Sequence, residues 1–232
     1  MADIQPEDQG TSVSIGRLII IGAGDFGREV LWTCSEIPNT DRVWQTVAGF
    51  LDDDVEGSSA RMASYGVDVP VIATIRDYIP KPYDHFICAI GDPKAKLAVC
   101  ELLRGRAAQF TNIIHPSVKV MSRTILGRGV LLCYHSWIGP DVHIGDFVTI
   151  NSASSCGHDV VVEDGCTISA HCDITGHGHL ERGVFLGTHA AVLPRIRVGA
   201  FAKIAAGSVA FRNVKPGDVV VGVPAKSISP ES

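Results

Sequence analysis

From Ser117 to Arg212 the chain divides without insertion into sixteen blocks of six residues, beginning SVKVMS, RTILGR, GVLLCY and ending FAKIAA, GSVAFR. The fourth place of every block is apolar: Val120, Leu126, Leu132, Ile138, Ile144, Ile150, Cys156 and Val162, then Ile168, Ile174, Leu180, Leu186, Val192, Val198, Ile204 and Ala210. At an apolar background of 46 %, such a run has a chance probability of roughly a few in a million. The second place is small or β-branched almost throughout, as at Val118, Val130, Val142, Cys166 and Cys172. This pattern predicts a parallel β-helix. Places two and four point inward on a short strand, the other places face out, and turns follow. Three blocks close one triangular coil, so residues 18 apart stack about 4.8 Å apart on one face. A β-sandwich would not keep a strict period of six over this length.

The first half reads differently. Residues 1–16 are a loose polar tail, and Arg17–Ile21 is a short apolar strand. Gly22-Ala23-Gly24-Asp25-Phe26-Gly27 follows, then a helix predicted over Arg28–Ile37. This is G-x-G-x-x-G between a strand and a helix N-terminus, where glycines let backbone N–H groups approach phosphates and the helix dipole favours their charge. A second strand, Thr46–Leu51, runs into Asp52-Asp53-Asp54, and a third, His85–Ile90, into Gly91-Asp92. Ligands bind at such carboxyl ends in open α/β sheets. Asp92-Pro93 opens a helix that runs to about Arg106. Residues 17–112 amount to one mononucleotide-binding half, which suits a nucleoside diphosphate better than a dinucleotide. The expected division is a tail (1–16), a Rossmann-like nucleotide-binding domain (17–112) and a β-helix domain (113–232).

Composition narrows the class. Twenty Lys and Arg against 25 Asp and Glu give a net charge of −5, with no basic stripe, which argues against nucleic-acid or anionic-membrane partners. No apolar run approaches the ~20 residues of a membrane span. The acidic start, MADIQPEDQG, lacks the basic and apolar blocks of a signal peptide. Seven cysteines without a C-x-x-C pair point to neither a disulfide framework nor a zinc knuckle. A cytoplasmic setting is expected.

The order of motifs, GAGDFG after a strand, GFLDD, AIGD, and NIIHPS leading into hexapeptide repeats, resembles one family over nearly the whole chain. These are the hexapeptide-repeat nucleotide-sugar acetyltransferases that act on UDP- or GDP-linked 4-amino-4-deoxy sugars. Sialic-acid-type O-acetyltransferases are relatives. The closing VVVGVPAKSI is similar to the coenzyme A end of these enzymes. The resemblance implies a left-handed coil and a homotrimer with active sites between subunits. It also implies acetyl-CoA as cosubstrate, with no permanently bound cofactor or metal. Gly24, Asp25 and Phe26 would line the phosphates, Asp52 and Asp53 the nucleoside, and Gly91 the sugar side. Many members carry His at the place of Phe26.

Acetyl transfer from a thioester needs a neutral nucleophile, a proton acceptor and donors for an oxyanion. His158 is an outward corner residue followed by Asp159, a carboxylate able to orient it and raise its basicity. His177 stacks 18 after Asp159 and competes for that carboxylate, and the repeat frame leaves both pairings open. By resemblance, NSASSCGHD ends in the family's catalytic histidine and its acidic partner, making His158 the general base and Asp159 its partner. Thr167 stands where the family has a second histidine that contacts the acetyl group, and its hydroxyl would donate there. Gly176 would offer its N–H to the thioester carbonyl. Thr188 and Ala206 would contact the pantetheine arm, with Ala206 replacing a usual glycine. Pro224 and Lys226 would lie near the adenine end. Inward Cys156, Cys166 and Cys172 read as small core residues. Other readings are a sugar O-acetyltransferase, a nucleotide-sugar-binding protein without catalysis, and a zinc hydratase or lyase built on His171 and His189.

Overall fold

A computed structural model describes residues 16–228. The predicted tail, apart from Gly16, lies outside the described residues. A five-stranded parallel sheet comes first, in the order β3-β2-β1-β4-β5. Its strands are β1 (Arg17–Ile21), β2 (Thr46–Leu51), β3 (Val71–Ala73), β4 (Asp84–Cys88) and β5 (Gln109–Phe110). Helices α1 (Asp25–Ser35), α2 (Val55–Ser64) and α3 (Pro93–Gly105) connect them. The strand reversal on either side of β1 makes a topological switch point, with the carboxyl ends of β1, β2 and β4 side by side.

Boundaries differ from the sequence reading in places, and two elements are added. Helix α1 begins at Asp25, not Arg28, because the last residues of the glycine loop already form its first turn behind the extended Gly24. Strand β4 ends at Cys88 rather than Ile90, where the chain bends over Gly22. Helix α2 and strand β3 were not anticipated, since α2 buries only Ser58 and Met62 and so carries a faint apolar stripe. Helix α3 follows the expectation closely, with the Asp92 carboxylate accepting from the Ala95 N–H at 2.9 Å and Pro93 in the first turn.

Beyond β5 the chain winds as a left-handed parallel β-helix of two-residue strands, one per block, at places three and four. Strands pair 18 residues apart, as Trp137 with Ser155 and Thr149 with Thr167. The stack starts one block before Ser117, at Ile113–Ile114. It closes with Val219–Val221 and an antiparallel Lys226–Ser227. Place four is buried from Leu132 onward, whereas Val120 and Leu126, at the open first coil, stay partly exposed. From Arg123 to Gly207 every block begins with a residue at positive φ, between 57° and 69°. Eleven of these are not glycine. Each costs about 1 kcal/mol or more in isolation, and the stacked ladder holds them in place.

The first face carries the strands in register with Ile113–Ile114, and the N-terminal domain covers it. Leu131 and Ile113 join the core beneath α1, and Phe147 joins the core beneath α3. Lys96 of α3 is fully buried and donates to Thr149 Oγ1, Cys166 O and Thr167 Oγ1 at 3.2, 3.0 and 2.8 Å. A Cβ on Gly165 would lie 2.4 Å from Leu97 Cγ, so glycine is what lets α3 approach. The second face (Lys119–Val120 to Val209–Ala210) and the third (Ile125–Leu126 to Arg197–Val198) stay uncovered.

Candidate active site

The glycine loop has the geometry of a phosphate cradle. Gly22 sits at φ +97°, and a Cβ there would press on Ala89 O at 3.2 Å. A Cβ on Gly27 would lie 2.2 Å from Gly22 O, so the third glycine brings α1 against the strand. Gly24 and Gly91 have nothing within 4 Å of a would-be Cβ, which leaves the edge open to a ligand. Asp52 turns inward: its Oδ2 accepts the Ala23 N–H at 2.8 Å and its Oδ1 the Asp54 N–H at 3.0 Å. Asp53 accepts from the Ile75 N–H at 3.0 Å. Both carboxylates therefore shape the loops at this edge. Asp25 is exposed, with Arg28 3.6 Å away. Sequence reasoning missed two cations here. Arg61 donates to Ala23 O at 3.0 Å, and Arg28 stacks on Tyr65, its Cζ 3.6 Å from the ring centroid. Both contacts depend on α2, which left no readable signal.

Phe26 lines a cavity of about 260 Å³ between α1 and the β-helix, with Trp32, Glu36, Tyr134 and Asn151. It lies at the corner between the first and second faces. Thr188 and Ala206 stand farther along the same corner, and their N–H groups have no acceptor among the described residues.

His158 stands at the corner between the second and third faces. Its Nδ1 is 2.8 Å from Asp159 Oδ2, whereas His177 Nε2 is 3.8 Å from the same oxygen. The open choice thus resolves toward His158, with the His177 ring at right angles to it and 5.2 Å away. Gly176 lies beneath the imidazole: a Cβ there would sit 2.5 Å from His158 Nε2. Its N–H has no acceptor among the described residues. The corner therefore offers an oriented imidazole and a spare backbone donor next to each other.

Thr167 is corrected by the structure. It is only 6 % exposed on the covered first face, with Oγ1 accepting from Lys96. Place three points outward, but the N-terminal domain takes this outward face, so the hydroxyl is turned to Lys96 rather than to solvent. Pro224 and Lys226 are exposed at the far end of the coil. Cys156, Cys166 and Cys172 point inward, and burial pushes their thiols up to about 12, 12 and 11. None is a nucleophile near neutral pH. His171 and His189 stack as parallel rings, 4.8 Å apart and 16° from coplanar.

Residues 17–103 match the family model described as the PglD N-terminal domain. The chain is 26 % identical over 175 residues to the GDP-perosamine N-acetyltransferase of Escherichia coli O157:H7, covering 75 % of this chain and 76 % of that one. Against a serine acetyltransferase of Buchnera aphidicola it is 36 % identical over 123 residues, but these span only 40 % of that enzyme. The crystal structure of PerB from Caulobacter crescentus, in complex with CoA and GDP-perosamine, superposes with a TM-score of 0.78 at 27 % identity, over 92 % of this chain and 98 % of that one. The acetyltransferase domain of PglB from Neisseria gonorrhoeae, in complex with acetyl coenzyme A, shares the fold at 23 % identity with a TM-score of 0.81. Fold, glycine loop and corner histidine together define a hexapeptide-repeat acetyltransferase. The chain carries the PglD N-terminal domain and is similar over most of its length to such enzymes that act on nucleotide sugars.

Proposed function

We propose that this protein transfers the acetyl group of acetyl-CoA to the amino group of a nucleotide-linked 4-amino-4-deoxy sugar. Residues 17–112 would hold the nucleotide and residues 113–232 carry out the transfer. The observation that carries the reading is one chain holding both an open glycine loop at a switch point and the His158–Asp159 pair over Gly176. Likeness over 92 % of its length to a GDP-perosamine complex supports the substrate class.

In this mechanism His158 donates its Nδ1–H to Asp159, which leaves Nε2 as proton acceptor. The amine attacks the thioester carbonyl as Nε2 takes its proton, and the oxyanion is met by the Gly176 N–H. Collapse breaks the C–S bond, and the coenzyme thiolate leaves with a proton returned from His158. On the nucleotide side, Gly24, Phe26 and Gly91 line the site. Asp52 and Asp53 set the loop, and Asp25 stands at its rim. Thr188 and Ala206 present backbone N–H groups to the pantetheine arm, with Pro224 and Lys226 toward the adenine.

The nucleotide loop and His158 belong to different corners of one coil. A homotrimer, in which one chain's loop meets its neighbour's histidine, completes the site in this reading. Buried thiols fit a reducing, cytoplasmic setting, and no helix among the described residues is long and apolar enough to cross a membrane. The test is coenzyme A release from acetyl-CoA with UDP- and GDP-linked 4-amino sugars, with His158→Ala alongside. Release with one of them, largely lost in the variant, is expected. Release undiminished in the variant would remove His158 from the mechanism, and release only with hydroxyl acceptors would make the enzyme an O-acetyltransferase.

A further inference from the structure

The corner that carries His158 also gathers three metal-ligating side chains. His158, Asp159 and His177 each bring one donor atom, and these atoms all lie within 4.8 Å of one another. We propose that this corner binds a divalent transition-metal ion, zinc foremost, through His158, Asp159 and His177, and that the bound ion blocks acetyl transfer.

The donor set is right for zinc. Two imidazoles and one carboxylate, with a fourth position open, match three-ligand zinc sites. With bonds near 2.1 Å, donors at the corners of a tetrahedron stand about 3.4 Å apart. Asp159 Oδ2 already lies 2.8 Å from His158 Nδ1 and 3.8 Å from His177 Nε2, one below and one above that spacing. All three side chains are about half exposed, so small rotations complete the geometry. Their backbones do not have to move. Asp159 and His177 occupy stacked left-handed corners at φ 58° and 60°, and the His177 N–H is tied to His158 O at 3.0 Å. The two rings stand at 90° to one another with their centroids 5.2 Å apart.

The surrounding charges bear on the affinity of the site. One coil earlier in this column, Asp141 is neutralised by its ion pair with Arg123, so it neither adds a ligand nor competes. One coil later stands exposed Arg195, whose charge opposes a cation and weakens the site. The stacked His171–His189 pair has parallel rings and no third donor, and no other such group occurs among the described residues.

Inhibition follows from the tautomer. A metal on His158 Nδ1 replaces the proton donated to Asp159 and places the ring proton on Nε2, the atom that must accept one. That consequence rests on the role proposed for His158, whereas binding itself does not.

The experiment is a titration of metal-stripped protein with cobalt(II) chloride, without substrates, followed by visible absorption. The wild type is expected to develop the intense band of tetrahedral cobalt, saturating near one ion per chain and abolished by added zinc. His177→Ala and Asp159→Asn, checked for folding by circular dichroism, should lose affinity by about tenfold or more, while His171→Ala should not. No tetrahedral band in the wild type, an unchanged band in His177→Ala, or a band lost in His171→Ala would each overturn the proposal. Cobalt bound at this corner of a protein without acetyl-transfer activity would leave the site standing and overturn the proposed function instead.

Discussion

The contact between Gly176 and the His158 ring puts a demand on a single methyl group. Gly176 does not lie in the left-handed region, so alanine suits the backbone, yet its Cβ would arrive 2.5 Å from Nε2. The ring must then rotate off Asp159. Gly176→Ala is expected to lower kcat by about ten- to a hundredfold with little change in KM for acetyl-CoA. An unchanged kcat would mean that the ring position is not what catalysis uses. His158→Ala should cost about two to four orders of magnitude, the usual worth of a general base. The thiols make the opposite prediction. All seven cysteines are buried, so a thiol reagent such as dithiobis-nitrobenzoate should label fewer than one per native chain, and all after denaturation. The repeat frame exposed the inward cysteines and the outward histidine, because facing follows from position in the block. It did not expose Lys96 as the partner of Thr167, 71 residues away, since nothing local relates them.

At the scale of elements, the joint between α3 and the first face is unusual. A fully buried ammonium is held by two hydroxyls and a carbonyl, and burial lowers the Lys96 pKa from 10.5 to about 8. Because the folded state releases this proton more easily, the unfolded chain binds more protons between those two values. Stability from this group therefore rises with pH across about 8 to 10.5, by up to about 3 kcal/mol, and below pH 8 the full penalty is present. Urea unfolding of wild type and Lys96→Met at pH 7.5 and pH 10 checks this. The difference between the two proteins should shift toward the wild type at high pH, and a constant difference would refute it. Gly165→Ala should also loosen the joint, by about 2–3 kcal/mol, through its φ of +69° and the Leu97 side chain above it. In the nucleotide domain, β1, β2 and α3 were readable from apolar runs and the Asp-Pro cap. Helix α2 was not, and the arginine it aims at Ala23 was missed with it.

For the whole molecule, the consequence lies in how the two halves of the site are distributed. The glycine loop adjoins one corner of the coil and His158 occupies another, with the second face between them. If two copies share each site, an Asp52→Ala chain and a His158→Ala chain, each impaired alone, should recover activity when refolded together. Random mixing leaves roughly a quarter of the interfaces with both intact parts. No recovery, at a trimeric mass by light scattering, would place each site within one chain.

The sequence by itself determined the coil, its register of 18, the inward residues, the glycine loop and the corner that bears His158. Each is written in a short period or a contiguous motif and needs no distant partner. Which face is covered, where Thr167 is spent, and which histidine holds Asp159 were decided only by the tertiary structure. An outward place in a repeat is equally outward on all three faces until another part of the chain packs onto one of them.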